Sequence, residues 1–152
     1  MNDRPTLSSP LAKDRLRTWL ALLKATRAVE AELRERMRVT FGTTLARFDV
    51  MAALHRAEPD GLRMSGLSAA LRVSNGNVTG LVDRLVADGL ARREGVAGDR
   101  RASLVRLTAR GASRFEAMAT IHEAWVDELL SPIGAEGLTT IRTRLARLTE
   151  DA

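Results

Sequence analysis

A chain of 152 residues, 45% hydrophobic and 28% charged, has the size and composition of one soluble globular domain able to bury its own core. Cysteine is absent, which excludes disulfides, thiol redox sensing and cysteine-based metal sites. No apolar run approaches a membrane span, and Met1-Asn2-Asp3-Arg4-Pro5 lacks the apolar core of a signal peptide, so a cytoplasmic location is expected.

From Leu11 to Met37 apolar residues recur at Leu16, Trp19, Leu20, Leu22, Leu23, Val29, Leu33 and Met37, close to helical spacing, until Phe41-Gly42 breaks the pattern. A second helix starts near Thr43 or Thr44, either able to cap it, and buries Leu45, Phe48, Met51, Ala52 and Leu54. Glu58-Pro59-Asp60-Gly61 reads as a turn. Met64 to Leu71 fits a short helix with Ser65 as N-cap and Leu67, Ala70 and Leu71 facing inward. Arg72-Val73-Ser74 makes the turn to a further helix that Ser74 can cap.

In that helix Val78, Leu81, Val82 and Leu85 follow core spacing. The opposite face carries Asn75, Gly76, Asn77, Thr79, Gly80, Asp83 and Arg84. Asn and Arg can bond bidentately to adenine and guanine edges, and Thr can meet a thymine methyl or a phosphate. Gly76 and Gly80 share a face, and each costs about 1 kcal/mol relative to Ala in a helix interior. Either the bare face lets the backbone approach a groove closely, or a weak helix is merely tolerated.

Asp88-Gly89-Leu90 ends the helix with Gly as its cap. Leu90 to Glu94 and Ala102 to Leu107 then pair as strands, with Gly95-Val96-Ala97-Gly98 at the tip and Asp99, Arg100 and Arg101 where the second strand begins. Asp99 can hold one arginine by an ion pair and leave the other for a narrow minor groove, where the negative potential is enhanced; which arginine does which stays open. Toward the C-terminus Ala112, Phe115, Met118, Ile121, Trp125 and Leu129 form one stripe, Pro132 and Gly134 interrupt it, and Leu138, Ile141, Leu145 and Leu148 resume it as in a packed helix pair. The terminal helices pack only on the chain's own core or also form a two-fold dimer interface. A dimer is expected, since DNA readers of this size pair to match two half-sites.

The net charge of +5 is not spread evenly. Between Arg63 and Arg110 nine arginines stand against four acids, Asp83, Asp88, Glu94 and Asp99, while the remainder nets zero. That concentration is the footprint of a DNA-facing module between neutral flanks. The fold class expected is mostly α with a small β-hairpin wing: a winged helix-turn-helix over residues 43–108, flanked by long dimerisation helices over 11–40 and 109–150.

Other functions find little support. There is no phosphate-cradling loop after a strand, no triad and no metal constellation, so an enzyme is not expected and no cofactor is called for. With only His55 and His122, a dedicated metal site is not expected either. Those two histidines, like Trp19 and Trp125, read better as interface or core residues than as pocket walls, and no ligand-binding residues can be named. A winged helix used for protein–protein contact would carry a neutral or acidic recognition face, unlike this one.

One run of motifs carries a resemblance. Phe48-Asp49-Val50, Leu67-Ser68, Val78-Thr79-Gly80-Leu81-Val82-Asp83-Arg84-Leu85, Asp88-Gly89-Leu90, Arg93, Asp99-Arg100-Arg101 and Leu107-Thr108-Ala109-Arg110-Gly111 follow one another in order and at spacings that resemble the MarR family of bacterial regulators. The resemblance covers nearly the whole chain, and its most specific part is the combination of Asp-Gly-Leu, Asp-Arg-Arg and Leu-Thr-x-x-Gly. It implies a homodimeric winged-helix repressor of a pseudo-palindromic double-stranded DNA operator. The helix at 74–88 would enter the major groove and the wing at Asp99-Arg100-Arg101 would meet the minor groove. It also implies a small-molecule effector, often an aromatic or phenolic acid, that releases the DNA. On this basis the DNA-binding residues are Ser65, Ser74, Asn75, Gly76, Asn77, Thr79, Gly80, Arg84, Asp99, Arg100 and Arg101.

Overall fold

A computed structural model describes residues 9–71 and 75–150, without the side chains of Asn75, Arg100, Arg101 and Glu150. The first helix, α1 (Pro10–Phe41), begins where Ser9 accepts the amide of Ala12 and Pro10 supplies a preset φ. It ends at Gly42, whose φ of +62° lets its amide return to the Arg38 carbonyl. Only Leu33 and Met37 of α1 are buried. The first half of its apolar stripe, Leu11, Leu16, Trp19 and Leu20, extends past the core of the single chain and stays exposed, Trp19 at 55%.

The second helix, α2 (Leu45–Arg56), is capped by Thr44, which accepts the Arg47 amide. It is buried on more sides than its spacing suggested, because Val50 and Ala53 join Phe48, Met51 and Leu54 in the core. A helix buried on several sides belongs at the centre. Here α2 packs against α1, a short helix α3 (Met64–Leu71), a longer one α4 (Asn75–Ala87) and the fifth, α5 (Ala109–Leu130). Four rings interleave between α2 and α5. Phe48 and Phe115 stack at 5.4 Å, His122 lies 4.6 Å from Phe48, and His55 lies 4.7 Å from Phe115. Both histidines thus serve as packing groups, as does Trp125, which meets Phe41 at 5.9 Å.

Three strands form one antiparallel sheet in the order β1 (Leu62–Arg63), β3 (Asp99–Leu107), β2 (Ala91–Val96). The expected hairpin is present but longer, since β2 runs to Val96 and β3 starts at Asp99, leaving Ala97-Gly98 as the tip. The register shifts between Gly95, opposite Ser103, and Val96, opposite Asp99. Arg100 and Arg101 therefore sit in a bulged stretch of β3, and bulges re-aim the chain at sheet edges. Strand β1 was not expected. Its two residues pair with Val105 and Leu104 and deliver the chain directly into α3. This corrects the place of Ser65: the helix starts at Met64, so Ser65 lies inside it and is not its N-cap. Leu67 is buried as expected, whereas Ala70 is exposed.

The recognition-type helix α4 buries Val78, Val82 and Leu85, with Leu81 packed beside them. It ends in a paired turn in which Gly89, at φ +70°, donates to Val86 and Leu90 donates to Leu85. The turn is bolted to the start of α5. Thr108 donates its hydroxyl to the Gly89 carbonyl at 2.8 Å and accepts the Gly111 amide at 3.0 Å, while its own amide meets the Leu90 carbonyl.

Helix α5 is tied to α1 by a two-pronged ion pair from Arg36 to Glu128, at 2.7 and 3.2 Å. Arg36 thereby holds the Glu128 carboxyl below its ordinary range. The last helix, α6 (Ala135–Glu150), departs from the packed pair that its spacing suggested. Leu138, Ile141, Leu145 and Leu148 form the stripe but remain exposed, Leu148 at 69%. Their periodicity is helical, and Leu138 borders α5 beside Ala124 and Leu130, yet each keeps more than a third of its surface open.

Candidate nucleic-acid interface

The exposed face of α4 is built by subtraction. Val78, Leu81, Val82 and Leu85 turn into the core, so Asn77, Thr79, Gly80, Asp83 and Arg84 face outward together. A Cβ built on Gly80 would meet nothing within 4 Å, so the fold itself does not require glycine there. Ser74 lies outside the described residues, as do the side chains of Asn75, Arg100 and Arg101 and the exposure of Gly76.

The wing is braced against this helix. Arg93 on β2 reaches Asp83 on α4 at 2.7 Å. Arg92 binds Glu94 at 2.7 Å, and Arg106 approaches the same carboxylate at 3.6 Å while also donating to the Pro59 carbonyl. Asp88, just past α4, pairs with Arg47 of α2, and its carbonyl accepts from Arg110.

These pairings revise the meaning of the local charge. Arg92, Arg93 and Arg106 of the basic module are spent inside the lobe on its own acids, while Arg110 gives one donor to a carbonyl. Among the described residues Arg63 and Arg84 make no ion pair and are exposed. Asp99 opens β3 at the surface. Its expected pairing with Arg100 or Arg101 involves side chains outside the described residues.

Arg63 joins the site residues on the evidence of the structure alone. It stands on β1 at the rim of a small cleft of about 200 Å³ shared with Met64, Ser65, Ala102 and Ser103. Ser65 is exposed there, on the same side of the lobe as the wing strand β3. No spacing rule could have revealed this grouping, because a two-residue strand has no period. The charge of Arg63 at the boundary of the basic stretch was the available signal.

The comparisons with known proteins agree with one another. The model of the MarR family matches residues 41–102. The crystal structure of a MarR family transcriptional regulator from Silicibacter pomeroyi is 33% identical, covers 95% of this chain and 99% of that one, and superposes with a TM-score of 0.78. The HTH-type transcriptional regulator PecS of Dickeya dadantii (strain 3937) is 32% identical over 102 residues, which are 66% of this chain and 61% of PecS. The matched stretch thus spans only about three-fifths of that relative's length. Sco3205, a MarR family transcriptional regulator from Streptomyces coelicolor solved in complex with DNA, is 20% identical, with 99% of this chain and 92% of that one covered at a TM-score of 0.82, and shows the shared fold. No helix among the described residues is long and apolar enough to cross a membrane. With a relative covered end to end at one-third identity, the chain belongs to the MarR family of transcriptional regulators, a family of regulators rather than of enzymes.

Proposed function

We propose that this protein is a cytoplasmic, homodimeric repressor that binds a pseudo-palindromic double-stranded DNA operator and releases it on binding a small-molecule effector. The observation that carries the DNA-binding reading is the outward face of α4. Asn77, Thr79, Gly80 and Arg84 are presented together on a helix whose other side is locked into the core. In this reading α4 enters the major groove, where Asn75, Asn77 and Arg84 read base edges and Thr79 meets a methyl or a phosphate. Gly76 and Gly80 allow close approach of the backbone. Ser65 and Ser74 bind phosphates, and the wing carries Asp99, Arg100 and Arg101 to the minor groove. The solved DNA complex of Sco3205 supports this placement through the common fold.

Residues 43–108 form the DNA-binding lobe in this reading, and residues 11–40 and 109–150 the dimerisation helices. The apolar side chains left exposed on α1 and α6 support that division, since patches of this kind on a folded chain mark association surfaces.

The test is a salt titration of binding to DNA from the promoter region of the protein's own gene and its neighbours. Specific binding should weaken steeply with salt, with a slope of about −0.9 for each phosphate neutralised. Absence of binding to any such fragment, even at low salt, overturns the reading.

A further inference from the structure

A cleft of about 560 Å³ opens where the end of α1, the start of α2, the end of α4 and the start of α5 meet. Three guanidinium groups line it, from Arg47, Arg110 and Arg114, against a single carboxylate, that of Asp88. Arg47 is nearly enclosed, with a side chain only 18% exposed, and pairs with Asp88 through one terminal nitrogen. Its Nε is buried with no hydrogen-bond partner. Arg110 spends one donor on the Asp88 carbonyl at 3.1 Å, and Arg114 spends one on the Phe41 carbonyl at 3.0 Å. Each guanidinium has five N–H donors, so most of the donor capacity of the cleft is unspent.

We propose that this cleft binds a compact polyanion, a small molecule carrying two or more carboxylate or phosphate groups. Arg110 and Arg114 each cap a carbonyl at the end of a helix, and Arg114 also lies over the Phe41 ring at 5.9 Å, yet the cleft still carries three positive charges against one negative. Guanidinium forks match the planar geometry of a carboxylate and the oxygens of a phosphate, and they do so bidentately. An aromatic monoacid asks for something different, a largely apolar slot with few polar groups. Here the apolar side chains, Met51, Leu90 and Met118 among them, make the floor, and arginines make the walls. The chemistry therefore departs from the phenolic acids that the family resemblance suggests.

Occupancy would bear on α4 directly. An anion competing for Arg47 loosens its hold on Asp88, the residue between α4 and the Gly89 turn that ends it. This regulatory consequence rests on the effector reading above; the binding site does not.

Calorimetry and thermal unfolding of the full-length protein test the site without DNA, using citrate and pyrophosphate as probes, benzoate as the aromatic comparator and sodium chloride at matched ionic strength. Citrate, pyrophosphate or both should bind and raise the melting temperature, and benzoate should not. Arg114→Gln, at an exposed position, should keep the fold and weaken that binding by about tenfold or more. Arg47→Gln should do so more strongly, with Arg114→Gln as the decisive variant if Arg47→Gln fails to fold. Preference for citrate assigns the site to polycarboxylates, and preference for pyrophosphate assigns it to phosphates. The proposal is overturned if neither polyanion binds beyond the salt control, or if binding is unchanged in Arg114→Gln. Binding without release of the operator would uphold the site and remove the effector reading. Release by benzoate, with no polyanion binding, would do the reverse.

Discussion

Gly111 lies against the carbonyl of Leu90 so closely that a Cβ on Gly111 would stand 1.9 Å from that oxygen. The contact joins two motifs that sit far apart in the chain. Asp88-Gly89-Leu90 closes α4, and Thr108 and Gly111 open α5. Between them Thr108 both donates to Gly89 and accepts from Gly111. The pair of motifs is thus one structural joint, holding the end of the DNA-facing helix to the start of a long flanking helix. Gly111→Ala forces backbone apart inside that joint. Overpacking of this severity should cost about 3 kcal/mol, measured by urea unfolding. A loss below about 1 kcal/mol would mean that α5 shifts freely, and that the joint does not fix α4.

Gly80 presents the opposite case. Nothing lies within 4 Å of its virtual Cβ, and its φ is not in the left-handed region. Gly80→Ala should therefore stabilise the free protein by about 1 kcal/mol through helix propensity alone. If the bare face exists for close approach to a groove, the same substitution should weaken operator binding even as the melting temperature rises. Equal or tighter binding would show that glycine there is only tolerated.

The readable parts of this fold were those with a period. Val78, Leu81, Val82 and Leu85 mark the inner face of α4 by spacing, and the outer face followed by elimination. Strand β1 has two residues and no period; it carries the chain straight into Met64, which puts Ser65 inside the helix and not at its cap. Spacing also identified the stripe of α6 without saying what covers it. The arginine cleft was hidden for another reason. Arg47 and Asp88 are 41 positions apart, and local patterns carry no information about such a pair.

Contacts of the lobe with DNA should separate into classes. Arg63→Ala should weaken binding about equally across DNA sequences and reduce the salt slope by about 1, as expected of a phosphate contact. Asn77→Ala should cost about 1–3 kcal/mol at particular base positions. Arg100→Ala or Arg101→Ala should weaken operator binding with fold and dimer intact. Competition binding against a panel of point-mutated operators distinguishes these outcomes. Sequence-selective loss in Arg63→Ala, or unchanged affinity in both wing variants, would refute the corresponding role.

His122 gives the ring stack a pH dependence. Its burial beside Phe48 lowers its pKa below the usual 6.5, so the folded state prefers the neutral imidazole. The unfolded chain then binds the proton more readily. The stabilisation is complete above about pH 6.5 and is lost progressively as pH falls through the folded pKa. Thermal unfolding across this range should show the decline in the native protein and not in His122→Phe, which keeps a ring in the stack without a titrating group. A further loss at lower pH, as Glu128 is protonated and releases Arg36, should remain in both. An identical profile above pH 5 in the two proteins would remove His122 as its source.

The stripe of α6 provides the sharpest test of dimerisation. Ile141 is 40% and Leu145 39% exposed in the single chain, so replacing them opens no cavity in its core. In a two-fold interface each position is used twice. Every such side chain moved from burial to exposure gives up about 1.5–3 kcal/mol. Ile141→Glu with Leu145→Glu should therefore yield a folded monomer by sedimentation, with near-native helicity. Affinity for a two-half-site operator should collapse, because the two recognition helices are no longer held at one spacing. A double variant that still sediments as a dimer would place the interface elsewhere. A double variant that unfolds would mean instead that α6 packs on its own chain, and that its exposed stripe has another cause.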